Sequence, residues 1–129
     1  MKALSIRAPW WWYILHAGKD IENRDWPTRV RGRVLIHASK WWNELEVALA
    51  IEEANDLTCT GPSLSFREYC GFLVGSVEIV DCVAHSSSSW FVGDYGFVLR
   101  NPVIFAEPVA FKGALGFFSV PDELARGLR

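Results

Sequence analysis

The chain has 129 residues, half of them apolar, enough to build one hydrophobic core without disulfide or metal staples. Its 13 Lys and Arg against 15 Asp and Glu give a formal charge of -2, so it lacks the global positive field of nonspecific nucleic-acid binders, and any polyanion site has to be local. No stretch approaches the roughly 18 apolar residues of a membrane span and the first residues hold no run of signal-peptide length, so the sequence reads as a cytoplasmic protein with no membrane partner, one domain over residues 1–129.

In chain order, "ALSIR" (3–7) reads as a short strand. Pro9 then opens a helix at its first position, where a missing N–H costs nothing, and Gly18 ends it. Trp10, Trp11 and Trp12 cannot all share one side of a helix, so at least one is expected near the surface or a pocket. The next stretch, "KDIENRDW", alternates with period two: Asp20, Glu22, Arg24 and Trp26 share one face of a strand, Ile21, Asn23 and Asp25 the other, and Pro27 ends it. "RGRVLIHAS" (31–39) has the β-branched and aliphatic content of a strand. Residues 43–56 read as an amphipathic helix capped by Asn43, with Leu45, Ala48 and Leu49 at helical spacing and five acids on a solvated face.

Residues 57–70 lack periodicity and read as a loop, and 71–85 form the longest strand candidate, with Leu73, Gly75, Val77 and Ile79 on one face. "SSSS" (86–89), followed at once by Trp90 and Phe91, reads as a mobile loop carrying aromatics. Three short strands follow, at 95–102, 107–113 and 115–120, set apart by Pro and Gly. Five to seven strands with two main helices that do not alternate with them predict an α+β fold, a small mixed β-barrel closed or nearly so.

Cys59, Cys70 and Cys82 include no C-x-x-C pair and His16, His37 and His85 lie far apart, so the sequence points to no metal site and to thiols that are buried and inert. Charge concentrates elsewhere. Residues 19–40 hold Lys19, Arg24, Arg29, Arg31, Arg33 and Lys40 against only Asp20, Glu22 and Asp25, a local basic rim. Spacing leaves two readings of it open: a surface Glu22–Arg24 ion pair with the other arginines solvated, or a Lys, a carboxylate and an Arg converging beside Trp26 to hold a polar ring or a phosphate.

"LSIRAPWWWYILHAGKDIENRDW", followed by "RGRVLIHASK", "GFLVGSVEIVDCV", "LRNP" and "FKG", resembles the ASCH domain family of the PUA-like superfamily over nearly the whole chain. There a helix opening with Pro-Trp leads to a Gly-x-Lys-x-x-Glu-x-Arg signature beside the cleft of a small β-barrel. Lys19, Glu22 and Arg24 match in register, whereas Ala17 holds the usual glycine position and Gly18 follows it, so the turn is expected to differ by one residue. Ala8 replaces the Gln that many members carry before Pro-Trp, removing one polar contact to a ligand.

The resemblance implies a binding domain for RNA, for another single-stranded nucleic acid, or for a nucleoside or nucleotide, acting without a cofactor. Its cleft would be lined by Lys19, Glu22 and Arg24, with Trp26 foremost, Trp90 or Tyr95 against the ligand's face, Trp10 packed under the cleft, and His37, Ser39 and Lys40 at its edge. The alternative is a metal-independent hydrolase, a ribonuclease or an enzyme similar to the amidohydrolases that deacylate N4-acetylcytidine, with Lys19 and Glu22 as catalytic groups. Against it, those amidohydrolases place Thr where this chain has Glu22, and a paired Glu22 favours the ammonium form of a lysine that has to act as a base.

Overall fold

The structure, a computed structural model, describes all 129 residues apart from the side chain of Leu64. Its elements are β1 (Lys2–Ile6), α1 (Trp10–His16), β2 (Ile21–Arg24), β3 (Gly32–Ala38), α2 (Glu44–Ala54), a 3-10 turn (Leu64–Tyr69), β4 (Phe72–Val83), β5 (Tyr95–Ala110), β6 (Phe117–Ser119) and α3 (Asp122–Arg126). The strands form one sheet in the order β2-β5-β4-β3-β1-β6, with β1 and β3 parallel and every other pair antiparallel. The sheet curls into a half-barrel, the α+β architecture that the sequence predicts.

Alternation along the strands divides the core. Leu4, Ile6, Val34 and Ile36 point to one side, where Trp11, Ile14 and Leu15 of α1 and Val47 of α2 cover them. Ala3 and Leu35 point to the other, against Leu73, Phe105 and Val120. The curl brings the sheet's far ends together: Phe97 of β5 stacks on Phe117 of β6 at 6.1 Å, and Trp26, just past β2, meets both rings edge-on at 5.3 and 5.9 Å.

Beyond Cys59, which is exposed where a buried thiol was expected, and Leu73, which a bulge before Gly75 turns to the side opposite Val77 and Ile79, four expectations need correction. The three strands expected at 95–102, 107–113 and 115–120 are one long β5 and a three-residue β6. The prolines misled because both sit where β5 bulges: Arg100 pairs with Glu78 and Val103 with Ser76, leaving Asn101 and Pro102 opposite Val77 alone, and Pro108 lies in a longer excursion between the Leu73 and Gly75 pairings. Neither missing N–H belongs to the ladder, and Asn101 takes the bulge's positive φ of 54°.

The second correction concerns α2. Asn43 caps it as expected, its Oδ1 accepting from the Glu46 amide at 2.9 Å, but Leu45 and Leu49 are 68% and 54% exposed. Its inner stripe is Val47, Ile51 and Ala54, an equally helical spacing, and Trp42 packing on Phe66 at 5.3 Å, just before the helix, helps set which stripe turns inward. Third, β2 is shorter than read: it stops at Arg24, and Trp26 reaches its place from the loop. Fourth, the 57–70 loop contains the 3-10 turn, whose Phe66 is buried against Trp11. Among the described residues no helix is long and apolar enough to cross a membrane.

Gly75 marks the tightest packing in the sheet. A Cβ there would lie 2.4 Å from the Val103 carbonyl oxygen and 2.7 and 2.9 Å from the Leu15 methyls, so α1 rests directly on bare backbone. Gly75→Ala is expected to lower stability by about 1–3 kcal/mol in urea denaturation, as overpacked sites do, whereas Gly61→Ala, whose added methyl is 3.7 Å from Tyr13, stays within about 0.5 kcal/mol of the parent.

Candidate functional site

A large cleft of about 1690 Å³, beyond the usual size of a small-molecule pocket, is shaped as an open groove. It lies at the C-terminal ends of the parallel pair β1 and β3, between the α1–β2 segment on one side and the chain after β5 on the other.

The α1–β2 turn sets the first wall. The amides of Ala17 and Lys19 both donate to the Tyr13 carbonyl, at 3.0 and 3.1 Å, and Gly18 between them adopts φ 73°. A left-handed residue is what this turn needs, and the glycine stands at the position that supplies it. Lys19 is thereby turned inward and is only 4% exposed. Its Nζ donates to the Ile21 carbonyl and lies 5.6 and 5.8 Å from the ring centres of Trp10 and Trp90. Burial pushes its pKa down from the ordinary 10.5; the negative charges of Glu22 and Asp20 work against that shift and Arg24 adds to it.

Glu22 is buried as well, at 6% exposure. Arg24 donates through Nε and Nη2 to the same carboxylate oxygen, Oε2, at 3.0 and 2.8 Å, and Nη2 also reaches the Ser5 carbonyl at 2.9 Å. Among the described residues nothing donates to Glu22 Oε1 and nothing accepts from Arg24 Nη1. The pair is thus an ion pair, as one sequence reading had it, but it is largely withdrawn from water and leaves one acceptor and one donor unused. Sheltered pairs seldom gain much stability over apolar replacements, because desolvation offsets attraction.

Trp10, Lys19, Glu22, Arg24 and Trp26 all line the cleft, as do His37, Ser39, Lys40 and Trp90. Tyr95 does not: it sits across the ladder from Arg24. The basic rim expected along 19–40 divides. Arg31 and Arg33 turn away to Asp81 and Glu78, at 3.7 and 3.1 Å, while Arg7 and Lys112 join the cleft instead. Five basic residues line it against three acids, a locally positive groove in a chain of net negative charge.

The 86–94 loop, read from its serines as mobile, is tied down. Asn23 donates from its amide to the Trp90 carbonyl at 2.9 Å and accepts from the Val92 amide at 2.9 Å, while the Ser88 hydroxyl donates to Asp20 Oδ1 at 2.6 Å. Asn23 therefore positions the Trp90 ring, a role its place in the strand alternation did not signal. Also unanticipated are Ser5, whose Oγ is 2.9 Å from His37 Nδ1, and the Phe111 carbonyl, 2.7 Å from His37 Nε2. Among the described residues no three His, Cys, Asp or Glu side chains converge as metal ligands would.

A curled half-barrel of six strands with two main helices is consistent with a small PUA-like barrel. The family model of the ASCH domain matches residues 4–93, more than half of the chain, and the protein belongs to the ASCH domain family, which is generally associated with RNA binding. The match ends before β5, so the Phe111 to Gly113 side of the cleft lies outside it. No curated protein matches the sequence.

His37 gives the site a signature in acid. Burial holds its pKa below 6.5, with its hydrogen bonds to backbone opposing the shift and Lys40 adding to it. An imidazole that protonates more readily unfolded than folded contributes stability above pH 6.5 that is lost as pH falls below it. Urea midpoints are expected to decline over that window, and His37→Gln reduces the decline, leaving the share of His16, whose pKa burial also lowers.

Proposed function

We propose that the cleft binds RNA or another single-stranded nucleic acid by stacking one unstacked base or nucleotide on the groove-facing side of Trp90 or Trp10, with Glu22 and Arg24 meeting its polar edge. The observation that carries this reading is the unused pairing capacity of a sheltered ion pair set beside two tryptophan faces. A carboxylate acceptor and a guanidinium donor suit the mixed donor and acceptor edge of a base. Stacking contributes about 1–3 kcal/mol per base, enough with one or two charge-assisted bonds for selective binding. Arg7, Lys40 and Lys112 follow the groove outward, where a phosphate backbone would run.

Fluorescence anisotropy with a labelled single-stranded RNA of about eight nucleotides tests this. Trp90→Ala and Arg24→Ala are each expected to weaken binding about tenfold or more, whereas Leu45→Ala on the outer face of α2 leaves it unchanged. Contact with two or three phosphates gives a slope of log K against log salt of about -1.4 to -2.1. Absence of binding at low salt, or binding indifferent to both cleft substitutions, overturns the proposal.

A second reading is favoured by one observation, the burial of Lys19, which moves its amine toward the neutral form that a general base or nucleophile needs. In that case the protein is a metal-independent hydrolase acting on RNA or on an acylated nucleoside such as N4-acetylcytidine, with Lys19 and Glu22 as its working groups. Mass spectrometry of incubations with both substrate types is expected to show a product that disappears with Lys19→Ala; intact substrates throughout exclude it for those substrates.

A further inference from the structure

We propose that Ser5 and His37 form a nucleophile and general-base pair that hydrolyses small carboxylic esters bearing an anionic alcohol portion. The two residues are register partners in the parallel β1–β3 ladder, so their side chains leave the sheet together on one face, and Ser5 Oγ lies 2.9 Å from His37 Nδ1. The other ring nitrogen, Nε2, is 2.7 Å from the Phe111 carbonyl oxygen. A carbonyl only accepts, so Nε2 carries the proton and Nδ1 of the neutral ring presents its lone pair to the Ser5 hydroxyl, which donates. Nucleophile, base and orienting acceptor then stand in one line, with a backbone carbonyl in the place often taken by a carboxylate. Burial, by keeping the ring neutral, preserves its capacity to accept a proton.

The surroundings supply the rest of an acyl-transfer centre. Ser5 is half-buried and lines the cleft, so it is reached from the groove. Gly113 crosses the pair so closely that a Cβ there would fall 2.7 and 2.8 Å from the imidazole and 3.2 Å from Ser5 Oγ; the chain after β5 thus roofs the pair with backbone instead of a side chain that would fill the approach. Arg24 donates to the Ser5 carbonyl, which places a guanidinium beside the backbone of the residue that carries the nucleophile, and its Nη1 has no partner among the described residues. That free donor suits an oxyanion, and the positive lining of the groove selects an ester with a negative charge.

In the first half-reaction the bond from Ser5 Oγ to the acyl carbon forms while the hydroxyl proton passes to His37 Nδ1. The imidazolium keeps its Nε2–H on the Phe111 carbonyl, and the negative charge resides on the former carbonyl oxygen beside Arg24. That oxygen re-forms the carbonyl as the bond to the alcohol oxygen breaks, and the departing alcohol takes the proton from Nδ1. Water then attacks the acyl-serine by the same route in reverse, giving the free acid and restoring Ser5 and His37. No other reactant is consumed.

The experiment treats the protein with a fluorophosphonate and, separately, with 4-acetoxybenzoate, and reads the mass of the peptide containing Ser5. A phosphonyl group on Ser5 from the fluorophosphonate, with fluoride lost, and an acetyl group from 4-acetoxybenzoate, with 4-hydroxybenzoate released, are expected, each formed about 100-fold more slowly in His37→Gln and absent in Ser5→Ala, with circular dichroism confirming that both variants fold. Folded protein that yields neither adduct, adducts confined to other residues, or a Ser5 adduct formed as fast in His37→Gln overturns the proposal. The readout involves no nucleic acid, so its failure and the failure of base binding are seen separately.

Discussion

A single guanidinium bridges the two ends of the curled sheet, and the cleft is arranged around it. β2 stands at one end of the strand order and β1 next to the other, and the Arg24 side chain spans them, bonded at once to Glu22 of its own strand and to the Ser5 carbonyl. Where those groups meet, the sheet's curl is fastened. Just beyond, Trp26 closes the same gap with hydrophobic contact on Phe97 and Phe117, its ring 5.8 Å from the Arg24 guanidinium carbon. The cleft is therefore what remains open at the seam of the half-barrel, and the groups that line it are also those that close the seam.

Placing charge at a seam has a cost that shapes the chemistry. Lys19, Glu22 and Arg24 are taken largely out of water, where attraction among them strengthens but desolvation opposes it, and the burden falls on Lys19, whose ammonium is destabilised. The compensation is local: the Ile21 carbonyl receives the ammonium, two tryptophan faces flank it, and Glu22 lies close enough to oppose the shift. Such an arrangement is preorganised for a polar ligand, since its groups are already desolvated and fixed before anything binds. It also explains how a chain of net charge -2 presents a cationic groove: Arg31 and Arg33 are neutralised by Asp81 and Glu78 on another surface, while the groove keeps an excess of two cations.

Legibility in the sequence followed the range of the interactions. The α1–β2 segment was readable because its signals are local: a proline before the helix, consecutive tryptophans that have to diverge, a glycine where φ turns positive, and a Lys-Glu-Arg spacing that matches a family signature. The α1–β2 residues reach the groove through that local geometry, whereas Tyr95 lies outside it, across the ladder from Arg24, because period-two alternation says nothing about which part of a long strand reaches the seam. What escaped was set by partners distant in sequence. The β5 bulges that absorb Pro102 and Pro108 depend on β4, the inner face of α2 is chosen by packing, and the serine loop is fastened by Asn23 and Asp20 from more than sixty residues away. Ser5 was invisible for the same reason, since a lone serine in a strand acquires meaning only when β3 brings His37 opposite it.

The central claim, that the seam cleft receives a nucleic-acid base against a tryptophan face, is tested most directly by the indole N–H resonances of the seven tryptophans during titration with short single-stranded RNA. Trp10, Trp26, Trp41 and Trp90 line the cleft, and Trp11, Trp12 and Trp42 do not. The account predicts saturable shifts concentrated at Trp10 and Trp90, with Trp11, Trp12 and Trp42 unmoved. Shifts confined to Trp12 or Trp42, or a spectrum unchanged at excess RNA, would contradict it.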